Sequence, residues 1–202
     1  GNDVLFIPEQ EYSHLSVMET IGATWSETLS NFLEEGGVII LCDYNWGDGG
    51  TYGILTGAGL MSISSVNYIT DWTVYLVDPT SPLASGVSNS FTAPYGALSF
   101  VTDETNVVFD DGAYPVVIHK RVGAGHIALI GFDYYASNPD TEQILGNAVN
   151  LALYMTISIS PSADSPGTEV TVTGTKAAVN GTVGIYWDNT FIGDTTADAF
   201  GN

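Results

Sequence analysis

Two short runs without a polar side chain, Val4-Leu5-Phe6-Ile7 and Val38-Ile39-Ile40-Leu41-Cys42, bracket a segment in which apolar residues recur every three or four positions. No other feature constrains the chain as much. A strand covered on both faces reads as an unbroken apolar run, the pattern of parallel sheets flanked by helices. Between the runs, Val17, Ile21, Trp25, Leu29, Phe32 and Leu33 share one helical face and predict a helix from Ser16 to Glu35. Glu34, Glu35 and Gly36 close it, although acidic residues in a last turn oppose the macrodipole. The unit is therefore β-α-β, with a right-handed crossover.

From Asp43 to Gly59 the chain is rich in Gly, Asp, Asn, Tyr and Trp, which predicts a long loop with a short helix at Thr51 to Thr56. Short β-prone runs follow at Val74 to Val77, Leu98 to Val101 and Asn106 to Phe109, separated by turn signals such as Asp78-Pro79 and Ala93-Pro94. Pro115 to Lys120 and Gly125 to Gly131 flank Gly123-Ala124 and predict a β-hairpin, and a helix from Asp140 to Tyr154 closes the α/β domain, residues 1–155. At Thr156 the pattern turns to strict alternation: Thr156 to Ser160, Glu169 to Gly174 and Gly181 to Trp187 each read as a strand with one solvated face. Residues 156–202 are therefore expected to be an all-β sandwich domain. About four strands fit there, whereas such sandwiches use ~7 in ~100 residues, so the domain is expected to be incomplete as given.

Charge narrows the partners. The chain carries 23 acidic residues against 3 basic ones, a net charge of −20, with only 13% of residues charged. Three cations cannot replace the counterions of a phosphate backbone, which excludes nucleic acid and disfavours an anionic membrane. No apolar run reaches the length of a membrane span. A polar surface built from Ser, Thr, Asn, Gly and Tyr rather than Lys is expected of a secreted or cell-surface protein. A targeting signal would then have been removed or lie upstream. The single cysteine, Cys42, excludes an internal disulfide and any zinc site that needs two thiolates.

The first ~155 residues resemble the class I glutamine amidotransferase-like fold, a flavodoxin-like parallel sheet with helices on both faces. The resemblance is carried by Asp3 to Glu9, by Phe32-Leu33-Glu34-Glu35-Gly36-Gly37-Val38-Ile39-Ile40, by Gly123 to Phe132, and by Leu145 to Val149. The tail resembles bacterial and archaeal Ig-like repeats through Ser165-Pro166-Gly167-Thr168 to Gly174 and Thr196 to Asn202. Active amidotransferases carry a G-x-C-x-G elbow whose small neighbours expose the thiolate. Cys42 stands in that register, but Ile40 and Tyr44 replace the glycines. The resemblance places a base His and a Glu near Phe132 to Tyr135, where this chain has Phe, Asp and Tyr. The family's catalytic pattern is not retained, and Cys42 is expected to be a buried strand-end residue with a thiol pKa near ~8.5.

Several other groups are candidate sites. Asp43, Asn45 and Asp48, ahead of Gly49-Gly50, form a weak calcium candidate that lacks the twelfth-position Glu of an EF-hand. Tyr44, Trp46 and Tyr52 share that loop, at the carboxyl end of a parallel strand where open α/β sheets place ligands, and could face a sugar ring or another subunit. His119 and His126, on the two strands of one hairpin, could pair as metal ligands with Asp133, but ordinary sheet positions fit them better. Asn180-Gly181-Thr182 is an N-glycosylation triplet.

These features lead to an expectation of function. The chain is read as a non-catalytic, acidic structural or adhesive protein of the cell surface, a self-assembling subunit of a fibril or layer. Its contacts would be aromatic and Ig-like, with strand complementation of the unfinished β domain. The alternative is a carbohydrate-binding module of a larger secreted protein. Neither reading requires a cofactor.

Overall fold

The computed structural model describes residues 4–10, 12–44, 50–153, 156–160, 171–175, 182–187 and 190–196. The chain divides into two compact units, Gly1–Ala152 and Leu153–Asn202. In the first, β1 (Val4–Ile7) leads through α1 (Leu15–Glu34) to β2 (Val38–Cys42), and α2 (Gly53–Gly57) follows. Next come β3 (Ile63–Tyr68), β4 (Thr73–Leu76), a 3-10 turn Pro82–Ala84, β5 (Ser90–Thr92), β6 (Leu98–Thr102) and β7 (Val107–Asp110). The unit closes with β8 (Pro115–Val122), β9 (Gly125–Ile130) and α3 (Pro139–Asn150), which passes into a 3-10 turn Leu151–Leu153.

Seven strands form one sheet in the order β1-β2-β9-β8-β7-β4-β5, while β3 and β6 pair in a separate ladder. Only β1 with β2 and β2 with β9 run parallel. The four remaining pairings in that sheet are antiparallel. The expected flavodoxin-like parallel sheet is therefore corrected to a mixed α/β sheet. The cause is local. Gly123, at φ +57°, turns β8 into β9, and Asp111 Oδ1 accepts the amides of Ala113 and Tyr114 to turn β7 into β8. Connections that short can join only antiparallel neighbours, since a parallel crossover needs a dozen or more residues.

Alternation along β2 and β9 then sorts their side chains into two cores. Val38, Ile40 and Cys42 join Ala128 and Ile130 on the face covered by Ile144, Ala148 and Leu151. Ile39 and Leu41 join Ile127 and Leu129 against Met18, Leu29 and Leu33 of α1 and Ile54 and Leu55 of α2. All five side chains of β2 are buried, each contributing about 1.5–3 kcal/mol if aliphatic. β1, by contrast, is an edge strand with Phe6 47% exposed, so an apolar run marked a sheet strand but not its place in the order.

Helix ends follow the residues closely. Past the C-cap Glu35 of α1, Gly36 takes φ +88°, its N–H bonds Leu33 O at 2.9 Å and the Gly37 N–H bonds Phe32 O at 2.8 Å. This is a Schellman stop, which glycine permits at no steric cost. α3 starts from Asn138, whose side chain accepts the Thr141 amide, with Pro139 in the first turn beside Asp140 and Glu142. α1 and α2 meet through glycines: a Cβ on Gly22 would land on the Ile54 carbonyl, and one on Gly57 on the Glu19 carbonyl.

In the second unit, β10 (Thr156–Ser160) pairs antiparallel with β11 (Thr171–Thr175), and β12 (Thr182–Trp187) with β13 (Thr190–Thr196). These are two separate two-stranded ladders. No Ig-like sandwich is formed among the described residues, and the Ig-like part of the expectation is corrected. Period-2 alternation identifies a strand with two unlike faces; it cannot tell a hairpin from a sheet of a sandwich.

The glycine contacts give a paired test of packing. Gly57→Ala forces backbone against backbone and is expected to cost about 1–3 kcal/mol. Gly146→Ala, in α3 with nothing within 4 Å of an added Cβ, is expected to gain up to about 1 kcal/mol. Urea denaturation of both variants checks the two signs.

Candidate functional site

The three parallel strands end side by side, delivering Pro8 to Gln10, Asp43 and Tyr44, and Gly131 to Tyr134 to one end of the sheet. Open α/β sheets place their ligands outside such carboxyl ends. Asp43 leaves β2 fully buried and accepts the amides of Thr51 at 2.9 Å and Tyr52 at 3.1 Å, one on each carboxylate oxygen. Thr51 in turn accepts the Gln10 amide on Oγ1 at 2.8 Å. One buried carboxylate thus ties together the exits of β1 and β2 and the entry to α2. Burial pushes its pKa up to about 7, against the opposing pull of the Tyr52 and Thr51 amides.

Cys42 lies just beneath, 1% exposed. Burial raises its thiol far above the ordinary range, and the carboxylates of Glu9, Asp43 and Asp133 add to the effect. This exceeds the sequence expectation, because three acids surround the sulfur where a nucleophile needs a cation or a base. The histidines lie elsewhere. His126 is level with Val38, four residues or about 13 Å down the strand from Cys42. His119 is opposite Ala128, and His14 is exposed at the head of α1.

The aromatic candidates divide. Tyr44 is buried and meets Tyr68 edge to face, with centroids 6.1 Å apart. Burial first, then the neighbouring Tyr68, Tyr95 and Asp133, push its pKa up to about 12. Tyr52 is also buried, its pKa raised by burial and by Asp43. Trp46, Asn45, Asp48 and Asn180 lie outside the described residues. The two Asp43 oxygens that the calcium candidate requires are engaged by backbone amides.

The rim is formed by Asp133, weighed in the sequence only as a metal ligand, and by residues that sequence reasoning passed over. Asp133, just past β9, accepts the Tyr135 amide on Oδ1 at 3.0 Å and lies across Gly96, where any Cβ would strike Oδ2. Gly96 has φ +84° and donates its amide to Thr70 Oγ1 at 3.2 Å. Tyr134 also has positive φ, +63°, a sharp turn anchored by its hydroxyl donating to Thr141 O at 3.0 Å. Around this turn Tyr68 is 49%, Tyr95 55% and Tyr135 86% exposed. The available signal was aromatic residues beside turn formers, in Pro94-Tyr95-Gly96 and Asp133-Tyr134-Tyr135.

Asp133 is seven residues beyond His126 and does not complete a metal triad with the histidines. His119 Nε2 and His126 Nδ1 are 3.0 Å apart, with ring centroids at 5.1 Å and planes 28° apart. The rings therefore meet edge to edge, their facing nitrogens within hydrogen-bonding distance. Tetrahedral zinc would need both lone pairs to converge on one point about 2.0–2.1 Å away.

No family model and no curated protein matches the chain. Solved structures do. Cytoplasmic Protein STM3548 from Salmonella typhimurium is 16% identical over 73% of this chain and 70% of its own, with a TM-score of 0.50. Cytoplasmic Protein STM1381 from Salmonella typhimurium LT2 is 10% identical over 73% and 68%, also at 0.50. A ThuA-like protein from Bacteroides uniformis is 13% identical over 75% and 69%, at 0.48. At such identities the likeness is one of fold alone.

Two expectations are corrected here. The two neighbours at 0.50 share an α/β fold over about three quarters of the chain, and the Ig-like resemblance of the tail is corrected, since its described strands form two separate ladders. The secreted or cell-surface location, with the extracellular and fibril descriptions, also falls, because the two neighbours at 0.50 are described as cytoplasmic proteins. A shortage of Lys and Arg sets net charge and solubility, and it carries no address.

Asp43 supplies a pH test with a definite sign. Its folded pKa of about 7 lies above the unfolded value of ~3.9, so between them the folded chain holds a proton that the unfolded chain has released. Its contribution to stability is greatest below the lower value, falls as pH rises, and levels above the upper one. The unfolding free energy of the wild type relative to Asp43→Asn is expected to decline from pH 4 to 7 and then stay flat, as measured by denaturation at stepped pH.

Proposed function

We propose that the α/β unit is a non-catalytic binding and assembly module that joins its own copies or neighbouring protein modules through the tyrosine rim at the carboxyl end of the sheet. One observation carries this reading. The strand-end thiol is sealed beneath Asp43 and surrounded by acids, while Tyr68, Tyr95 and Tyr135 present aromatic surface around Asp133. Tyrosine suits such contacts because a large ring is ordered at low entropic cost and its hydroxyl can still bond. No cofactor is required. A maleimide is expected to leave Cys42 unlabelled in the folded protein and to label it on unfolding. Size-exclusion with light scattering is expected to give more than the monomer mass, reduced by Tyr95→Ala combined with Tyr135→Ala. Rapid native labelling, or a strict monomer at high concentration, overturns the proposal.

A second reading, carbohydrate binding, is favoured by the exposed rings of Tyr68, Tyr95 and Tyr135 gathered around the buried Asp133, since sugar rings stack on aromatic faces. No described cation stands at that end: Lys120 bonds Glu104 and Arg121 bonds Gly123, both toward the other end of the β8–β9 hairpin. The ligand would therefore be a neutral glycan. Glycan-array binding that is lost in Tyr95→Ala, with the fold retained, is the expected outcome; no binding to any neutral glycan removes this reading and leaves the first.

A further inference from the structure

At the amino end of β9, on the face of the sheet covered by α3, three side chains form a hydrogen-bonded line that plays no part in the site above. Ser81 is buried at the head of the 3-10 turn Pro82–Ala84, where its Oγ accepts the Leu83 amide. The same Oγ lies 3.3 Å from His119 Nδ1, and His119 Nε2 lies 3.0 Å from His126 Nδ1. The line joins the turn to both strands of the β8–β9 hairpin. On its other side the turn is held by Asn147 of α3, whose Nδ2 donates to Leu83 O at 2.9 Å and Ser85 O at 2.8 Å.

Proton counting determines what this line tolerates. A neutral imidazole pair in this geometry places one proton between the facing nitrogens. A first added proton can sit on His119 Nδ1, and the bond survives because the Ser81 hydroxyl turns from donor to acceptor. A second leaves an N–H on each facing nitrogen, so donor meets donor and like charges meet at 5.1 Å between centroids. Neither partner can then accept, and the rings must separate.

We propose that Ser81, His119 and His126 form an acid-sensitive latch that holds residues 78–85 against the β8–β9 hairpin and releases them when the imidazole pair takes up its second proton. Charged groups near the line, among the described residues, are few. Asp78, in the same turn, favours protonated His119, whereas burial, the larger influence, disfavours it. Arg121 is the cross-strand partner of His126 and directs its Nε to Gly123 O. Lys120, the next residue along β8, is bonded to Glu104 and Leu60 O. α3 presents Gln143 and Asn147, which bond each other, and Asp140, which accepts the Ser88 amide. β2 contributes apolar Val38 beside His126, and Asn106, ahead of β7, accepts the His119 amide through its carbonyl.

The chain has three histidines, of which His14 is exposed. Imidazole nitrogens of the full chain are followed by NMR from pH 8 to 4, alongside amide hydrogen exchange. His119 and His126 are expected to shift together in two separate steps, the second proton arriving only after the first is bound. In that same step the Leu83 and Ala84 amides should exchange at least about tenfold faster, while those of Ile127 to Ile130 stay protected. His126→Gln, which removes the second charge, is expected to abolish the acid step. Independent titration of His119 and His126, turn amides that stay protected through the second protonation, or an acid step unchanged in His126→Gln each overturns the proposal. Should the variant fail to fold, the wild-type titration decides by itself.

Discussion

Burial of β2 on both faces is the constraint from which the rest of the α/β unit follows. Five consecutive side chains with no access to water require a layer above and a layer below, and α3 on one side and α1 with α2 on the other supply them. The strand's neighbours are fixed by the same requirement. β9, buried from Ile127 to Ile130, pairs with β2 in parallel register, so the two driest strands lie side by side. The wetter β1 and β8 flank them.

A central strand that is dry throughout leaves its exit as the place where polarity must return to the chain. Asp43 answers that need by serving the backbone: its oxygens satisfy the two amides that open the α2 turn. A carboxylate held this way cannot also activate a thiol, and its charge works against ionising one. Here the strand exit holds the loop in place. Polarity that faces solvent appears one strand over, in the exposed tyrosines gathered around the buried Asp133.

The β-α-β start, the hairpin at Gly123, the helix stop at Gly36 and the last helix were legible because each has a local cause: an apolar run, a turn residue or a cap. The strand order was not. The chain does not state how residues 43–124 travel before β9 returns to β2, and antiparallel additions on one flank look locally like strands of any sheet. The same limit produced the sandwich reading of the tail. In the site, the burial of Cys42 was expected from Ile40 and Tyr44 in place of glycines, but the acids around it come from three separate elements. Tyr44 and Tyr52 were noticed for being aromatic, and the fold uses them as core. The exposed tyrosines sit on turns whose convergence depends on a positive φ at Tyr134 and a missing side chain at Gly96, which are three-dimensional facts.

The glycine contact between α1 and α2 has a mechanical consequence. With carbonyls of each helix seated against bare Cα positions of the other, and Ser26 donating to Ala58 O at 2.9 Å across the same seam, backbone contact reinforces the packing of Met18 against Ile54 and Leu55. Sliding one helix past the other would drive backbone into backbone, so the two are expected to move together. An incoming partner at the carboxyl end of the sheet would then meet a stiff wall on the side of α1 and α2.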